Sequence, residues 1–217
     1  MRGMRRGSWI CWATRGLVLA VAIGALAPGL AQDDLYGASA PPDSAWVRAV
    51  NAEAPGGLGI RVADGPLASI AFGDATAYRV VAPGSVDVDL GGALFTVDVE
   101  AAAFVTVVAS VEGPQVIEDT PLVDVSRGLL ALYNLTRIEA LELVVVDGPT
   151  VVSDVAPGSQ AAVPVAEAEV ALEVRAGDTV LGTVDARLFE RGVAHSVMVV
   201  EGPDGPLVRY VRAVASE

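Results

Sequence analysis

Between residues 46 and 203 the chain states one pattern twice. Trp46-Val47-Arg48-Ala49-Val50-Asn51 is followed by Ile60-Arg61-Val62-Ala63-Asp64-Gly65-Pro66, and later Ala131-Leu132-Tyr133-Asn134 is followed by Leu143-Val144-Val145-Val146-Asp147-Gly148-Pro149. The two asparagines and the two Asp-Gly-Pro elements stand 83 residues apart. Ala82-Pro83-Gly84-Ser85 recurs as Ala156-Pro157-Gly158-Ser159 at an offset of 74, Val97-Asp98 as Val184-Asp185 at 87, and Glu112-Gly113-Pro114 as Glu201-Gly202-Pro203 at 89. Five matches in one order, at an offset that drifts as loop insertions make it drift, mark an internal duplication. Whatever this chain folds into, it contains the same unit twice.

Each copy reads as strands. Val86-Asp87-Val88-Asp89-Leu90, Leu94 to Glu100 and Glu169 to Arg175 alternate apolar and polar residues at period two, as half-buried strands of antiparallel sheets do. Asp64-Gly65, Asp147-Gly148 and Asp204-Gly205 are tight-turn signals, because glycine accepts positive φ, and Pro83-Gly84 and Pro157-Gly158 mark further turns. No stretch carries the period of an amphipathic helix. Aromatics are 5% of the chain, so the core falls to Val, Ala, Leu and Ile, which suit pleated surfaces. The expected fold is all-β, with two tandem β-sandwich domains related by internal duplication, spanning 32–114 and 125–217. The acidic, proline-bearing segment 115–124 is expected to link them.

The first 31 residues read as a secretory signal peptide. Arg2, Arg5, Arg6 and Arg15 precede the apolar run Gly16 to Leu26, and the small residues Gly29 and Ala31 set a cleavage point after Ala31. The run is short for a membrane span and Pro28-Gly29 interrupts it, so no membrane span is expected after cleavage. The reading implies export and places the mature chain in the periplasm. Removing 1–31 leaves ten basic residues, all arginine, against 27 acidic ones, a net charge of −17. Such a body does not bind nucleic acid or an anionic membrane by electrostatics, and it disfavours an acidic polysaccharide unless arginines cluster locally. Cys11, the only cysteine, leaves with the signal, so the mature chain has no disulfide and no thiolate metal site.

Leu35-Tyr36-Gly37-Ala38-Ser39-Ala40-Pro41-Pro42-Asp43-Ser44-Ala45-Trp46-Val47-Arg48-Ala49-Val50-Asn51 resembles the opening of the AlgF family of periplasmic alginate-acetylation proteins. In that opening a Leu-Tyr-Gly element precedes Ala-Pro, a short polar turn, and an aromatic-Val-Arg strand ending in Asn. The resemblance implies a non-catalytic accessory or adaptor subunit of a periplasmic complex that O-acetylates alginate, on its mannuronate residues, or a related exopolysaccharide. Its implied partners are periplasmic and membrane-bound polysaccharide acetyltransferases (AlgJ-, AlgX- and AlgI-like) and an acidic polysaccharide. This chain departs from the family pattern in its lack of lysine and its more acidic, Ala- and Val-rich body. Two alternatives stand beside this reading: a generic exported carbohydrate- or surface-binding β-sandwich module, and an acetyl carrier or acetyltransferase in its own right.

The residues themselves offer little chemistry. His195 is the one imidazole, so any serine nucleophile would depend on it; it reads as a strand-edge histidine facing solvent, and no Gly-x-Ser-x-Gly elbow occurs. One histidine without cysteine makes no usual zinc site. The carboxylate pairs Asp33-Asp34, Asp87 with Asp89, Asp98 with Glu100, and Glu118-Asp119 read as solvated strand faces. No catalytic residue, metal site or cofactor is expected. Candidate binding residues are Tyr36, Trp46, Arg48 and Asn51: an aromatic near an arginine stacks on a sugar ring and pairs with a carboxylate, or docks the N-terminal arm on its own sandwich. Arg48 alternates with Val47 and so points away from whatever buries Val47.

Overall fold

The computed structural model describes residues 40–216 other than Pro42, Ala54 and Val214. The expected signal peptide, its cleavage point and Tyr36 lie outside the described residues.

Every regular element among the described residues is a strand. The first copy supplies β1 (Ala45–Ala52), β2 (Leu58–Val62), β3 (Ala68–Ile70), β4 (Tyr78–Val81), β5 (Gly84–Leu90), β6 (Ala93–Val99), β7 (Phe104–Ser110) and β8 (Gln115–Glu118). The second supplies β9 (Gly128–Leu135), β10 (Leu141–Val145), β11 (Thr150–Val155), β12 (Ser159–Val165), β13 (Ala168–Ala176), β14 (Thr179–Phe189), β15 (Ala194–Gly202) and β16 (Gly205–Ala213). In the first copy one sheet runs β4-β1-β7-β8 and the other β3-β2-β5-β6; in the second the orders are β12-β9-β15-β16 and β11-β10-β13-β14. Adding eight to each strand number converts one topology into the other, so the fold is two tandem β-sandwiches related by duplication. A last strand, β17 (Ala215–Ser216), leaves the second copy and pairs in parallel with β4 of the first.

Two kinds of strand build each sandwich. β5 and β6 keep the period-two pattern, with Val86, Val88 and Leu90 buried against Val97 and Val99, and Asp87 and Asp98 turned outward. The central strands differ: β1 pairs in parallel with β7, and β9 with β15. Their burial is nearly continuous, because each lies in a sheet covered on both faces. One face of β1 sends Ala45, Val47 and Ala49 into the core of its own sandwich. Leu130, Leu132, Val197 and Val199 do the same in the second. The opposite faces meet each other, and Val50, Val108, Ile117, Ala131, Tyr133, Met198 and Val211 form a third core along this seam. Full burial of an aliphatic side chain contributes about 1.5–3 kcal/mol, so the seam is a third source of stability and not a surface contact.

Two details of the sequence reading change. Gln115–Glu118, expected as the start of the linker, is strand β8, hydrogen-bonded to β7 through Val107↔Val116 and its neighbours; Ile117 is apolar and reaches the seam core. The match of residues 82–85 with 156–159 is accidental, since the first lies between β4 and β5 and the second between β11 and β12. The true counterpart of Gly158 is Gly73. Both have positive φ (78° and 68°), and their amides donate to the carbonyls of Asn51 and Asn134 at 2.7 and 2.8 Å. The offset of 74, out of line with 83 to 89, was the sign of this error.

Candidate functional site at the seam

Arg48 occupies the middle of the seam. It lies on β1 between Val47 and Ala49 and is 1% exposed. Its Nε donates to Thr106 Oγ1 at 2.9 Å, and its Nη2 donates to Tyr133 Oη at 2.9 Å and Ser196 Oγ at 3.1 Å. The hydroxyls pass the interaction on. Thr106 Oγ1 and Tyr78 Oη donate to Asp119 Oδ2 at 2.6 and 2.7 Å, and Tyr133 Oη donates to Asp119 Oδ1 at 2.7 Å. A carboxylate can only accept, which fixes these directions. The rings of Tyr78 and Tyr133 also face the guanidinium, with centroids 4.5 and 5.3 Å from Cζ. Nη1 is buried with no hydrogen-bond partner.

Burial dominates the electrostatics of this network. It opposes the Arg48 charge, but the oxygens of Tyr133, Tyr78 and Asp119 outweigh it and the group stays a cation. Burial lifts the Asp119 carboxyl above the usual carboxylate range, against the pull of Arg48 and the hydroxyls of Thr106, Tyr78 and Tyr133. It likewise pushes both phenols up, so Tyr78 and Tyr133 remain protonated donors. The cluster joins side chains of both sandwiches in one buried hydrogen-bonded network.

Trp46, two residues before Arg48 on the same face of β1, stacks on Phe104 of β7 at 4.4 Å between ring centroids and 4° between planes. Phe104 in turn meets Tyr78 edge-on at 5.5 Å. Trp46 and Arg48 therefore stand on the same face of β1 as Val50, the face turned toward the seam. Asn51 is fully buried: its Nδ2 donates to the carbonyls of Ile70 (3.0 Å) and Gly56 (3.2 Å), and its Oδ1 accepts from Glu53 N. Asn134 does the same in the second copy, toward Val155 O, Ile138 O and Thr136 N. The asparagines repeat because each ties its own strand to two loops.

Those loops frame a cleft of about 630 Å³ where one end of the seam opens. Glu53 and Pro55 follow β1, Phe72 precedes β4, and Val111 and Glu112 turn between β7 and β8. Thr136 and Arg137, Pro157 and Gly158, and Glu201 to Pro203 occupy the equivalent positions of the second copy. The repeated Glu-Gly-Pro turns thus lie on the same cleft. Arg137 is ion-paired to Glu112, and Glu201 is the other charge acting on it.

His195 does not face solvent. It is 1% exposed, its Nδ1 lies 2.6 Å from Tyr210 Oη, and its Nε2 accepts from Glu190 N at 3.2 Å. Phe189 packs edge-on against the ring at 4.9 Å. The sequence reading missed this because β15, a parallel strand, is covered on both sides. It also missed Asp119, taken as half of a solvated Glu118-Asp119 pair. The available signal was Arg48, since a cation between apolar neighbours on a central strand requires a buried acid. The pairs Asp87/Asp89 and Asp98/Glu100 stand on an outward face, where Asp87 accepts from Thr96, Asp98 from Ser85 and Asp89 from Arg61. Among the described residues no group of three His, Cys, Asp or Glu side chains is placed to hold a metal ion, and no helix is long and apolar enough to cross a membrane.

Fold and seam together define a class of all-β proteins in which two duplicated sandwiches are joined through a buried polar network. Residues 17–196 match the model of the family described as Alginate O-acetyl transferase AlgF. Over 150 residues the chain is 30% identical to the alginate biosynthesis protein AlgF of Pseudomonas aeruginosa PAO1, covering 68% of each. It is also similar to solved structures of the C-terminal and N-terminal domains of AlgF from P. aeruginosa. The first is matched at TM-score 0.37 and 23% identity over 40% of this chain and 98% of that one. The second is matched at TM-score 0.33 and 27% identity over 38% of this chain and all of that one. This chain belongs to the AlgF family.

Proposed function

We propose that this protein is a non-catalytic accessory subunit of a periplasmic system that O-acetylates alginate, on its mannuronate residues, or a related exopolysaccharide. Its task there is to hold acetyltransferase enzymes together as an adaptor, with AlgJ-, AlgX- and AlgI-like proteins as its partners. Family membership supports the pathway. The adaptor role rests on the state of His195. Acyl transfer through serine, or an acetyl group carried on it, needs a base with an available nitrogen next to a reachable nucleophile. The one imidazole of this chain is enclosed with both nitrogens engaged. Its neighbour Ser196 is 3% exposed, and its Oγ accepts from Arg48. The net acidic body argues against a direct grip on a polyuronate, because like charges meet.

Deleting the gene in a polymer-producing host should leave polymer synthesis intact and remove its acetyl groups. Re-expressing either the wild-type chain or His195→Gln at equal level should restore them. Normal acetylation in the deletion strain overturns the accessory role. Failure of a folded His195→Gln protein to restore acetylation overturns the non-catalytic one.

A further inference from the structure

The cleft at the end of the seam is lined by the same three loops of each copy, and its charge is lopsided. Glu53, Glu112 and Glu201 border it, against the single cation Arg137. Phe72, Val108 and Leu135 give it an apolar floor. We propose that this cleft docks a cationic segment of a partner protein, one that presents an arginine or lysine beside an apolar side chain. The inference rests on the adaptor reading and adds to it where contact is made and with what chemistry.

Three observations favour this occupant. A volume of about 630 Å³ lies in the range of sites that enclose a few side chains and their backbone. The charge suits a basic peptide: a polyuronate or a nucleic acid would approach three carboxylates on a body of net negative charge, whereas a guanidinium or ammonium finds complementary potential there. Finally, Arg137 already demonstrates the contact. Its side chain is 81% exposed, it pairs with Glu112 of the other copy, and Glu201 acts on it from the equivalent hairpin. It is this chain's own guanidinium in the place a partner's would take. An exposed ion pair of this kind is weak and readily exchanged. The repeat explains the geometry: equivalent loops lie at the same end of each sandwich, so both Glu-Gly-Pro turns border one cleft.

The test uses the mature chain and an array of short overlapping peptides covering the periplasmic sequences of the polysaccharide acetyltransferase subunits of its host. Bound peptides should carry Arg or Lys next to an apolar residue and should dissociate as salt is raised. Glu112→Arg combined with Glu201→Arg should weaken binding about tenfold or more, since like charges across an interface are costly. Arg137→Ala should strengthen it several-fold by removing the internal competitor. All three side chains are exposed, so an unchanged unfolding midpoint certifies the fold of each variant. Binding of acidic or neutral peptides only, no binding at all, equal binding by the charge-reversed variant, or weaker binding by Arg137→Ala each overturns the proposal. If the intact subunits co-purify equally with wild type and Glu112→Arg/Glu201→Arg, the adaptor reading stands and the cleft proposal falls. Normal acetylation without the gene removes the adaptor reading itself.

Discussion

Arg48 of the first sandwich donates a 2.9 Å hydrogen bond to the phenol of Tyr133 in the second, across a sequence separation of 85 residues. By the 83-residue offset, the position equivalent to Arg48 is Ala131, and the position equivalent to Tyr133 is Val50. Equivalent faces of two copies have therefore diverged into unlike halves of one contact. A charge at the seam does more for the uniqueness of the docked arrangement than for its stability, because desolvation offsets most of the attraction.

The asymmetry of breaking such a network gives the first prediction. Arg48→Met leaves Asp119 buried with hydroxyl donors but no cation, and removing one member of a buried charge pair costs about 3–5 kcal/mol. Arg48→Met with Asp119→Asn removes both charges and should recover a substantial part of that loss. Urea unfolding of wild type, both single variants and the double variant measures the coupling. Additive losses would show that Arg48 and Asp119 do not act as a unit.

The seam should also make the sandwiches unfold together. Trp9 and Trp12 precede residue 32, so a chain beginning at Gln32 has one tryptophan, Trp46, which reports on the first sandwich. Leu132 is wholly buried in the core of the second. Leu132→Ala should cost about 2–5 kcal/mol, and the loss should appear in the Trp46 fluorescence transition although the two residues belong to different domains. A Trp46 transition that keeps its wild-type midpoint would mean that the domains melt independently.

The strands of the outer sheets were legible because one period-two pattern determines both their conformation and their buried face, as in Val86 to Leu90. The seam was less legible for the same reason. A strand covered on both faces loses its alternation, so Phe104 to Ser110 and Gly128 to Leu135 announce burial without saying by what. Arg48 was recognised as distinctive from the Trp-Val-Arg strand, but its hydrogen-bond partners lie 58 to 148 residues further along the chain, from Thr106 to Ser196, and no local spacing relates them. Asn51 was named as a candidate binding residue; its repetition as Asn134, with equivalent hydrogen bonds to the loops of the second copy, points to a structural role common to both copies.

That common role is testable by symmetry. Asn51→Ala and Asn134→Ala each remove two side-chain donations to buried or half-buried carbonyls and one acceptance from a loop amide. Leaving buried acceptors unpaired costs about 1–3 kcal/mol, so the two variants should lose similar stability in thermal or urea unfolding. A loss at Asn51 much smaller than at Asn134 would argue that Asn51 is kept for contact with something other than its own loops.

His195 gives a pH dependence of definite sign. Burial lowers its pKa from 6.5, an effect that the charges of Arg212 and Arg187 reinforce and that the Glu190 carboxylate opposes. Nε2 accepts the Glu190 amide hydrogen, so in the neutral ring Nδ1 carries the proton and donates to Tyr210; protonating Nε2 would set two donors against each other. The unfolded chain thus takes up the proton at a higher pH than the folded one. The stability that neutral His195 contributes is fully present above pH 6.5 and is lost as pH falls below it toward the folded pKa. Asp119 runs the other way at lower pH: with its folded pKa raised, its ionisation costs stability, and that cost is relieved on acidification toward its ordinary value of 3.8. Unfolding free energy measured from pH 8 to 5 should therefore fall with pH in the wild type, and the fall should be shallower in His195→Gln, whose amide oxygen can accept from Glu190 without titrating. Identical slopes for the two proteins would place the proton uptake elsewhere.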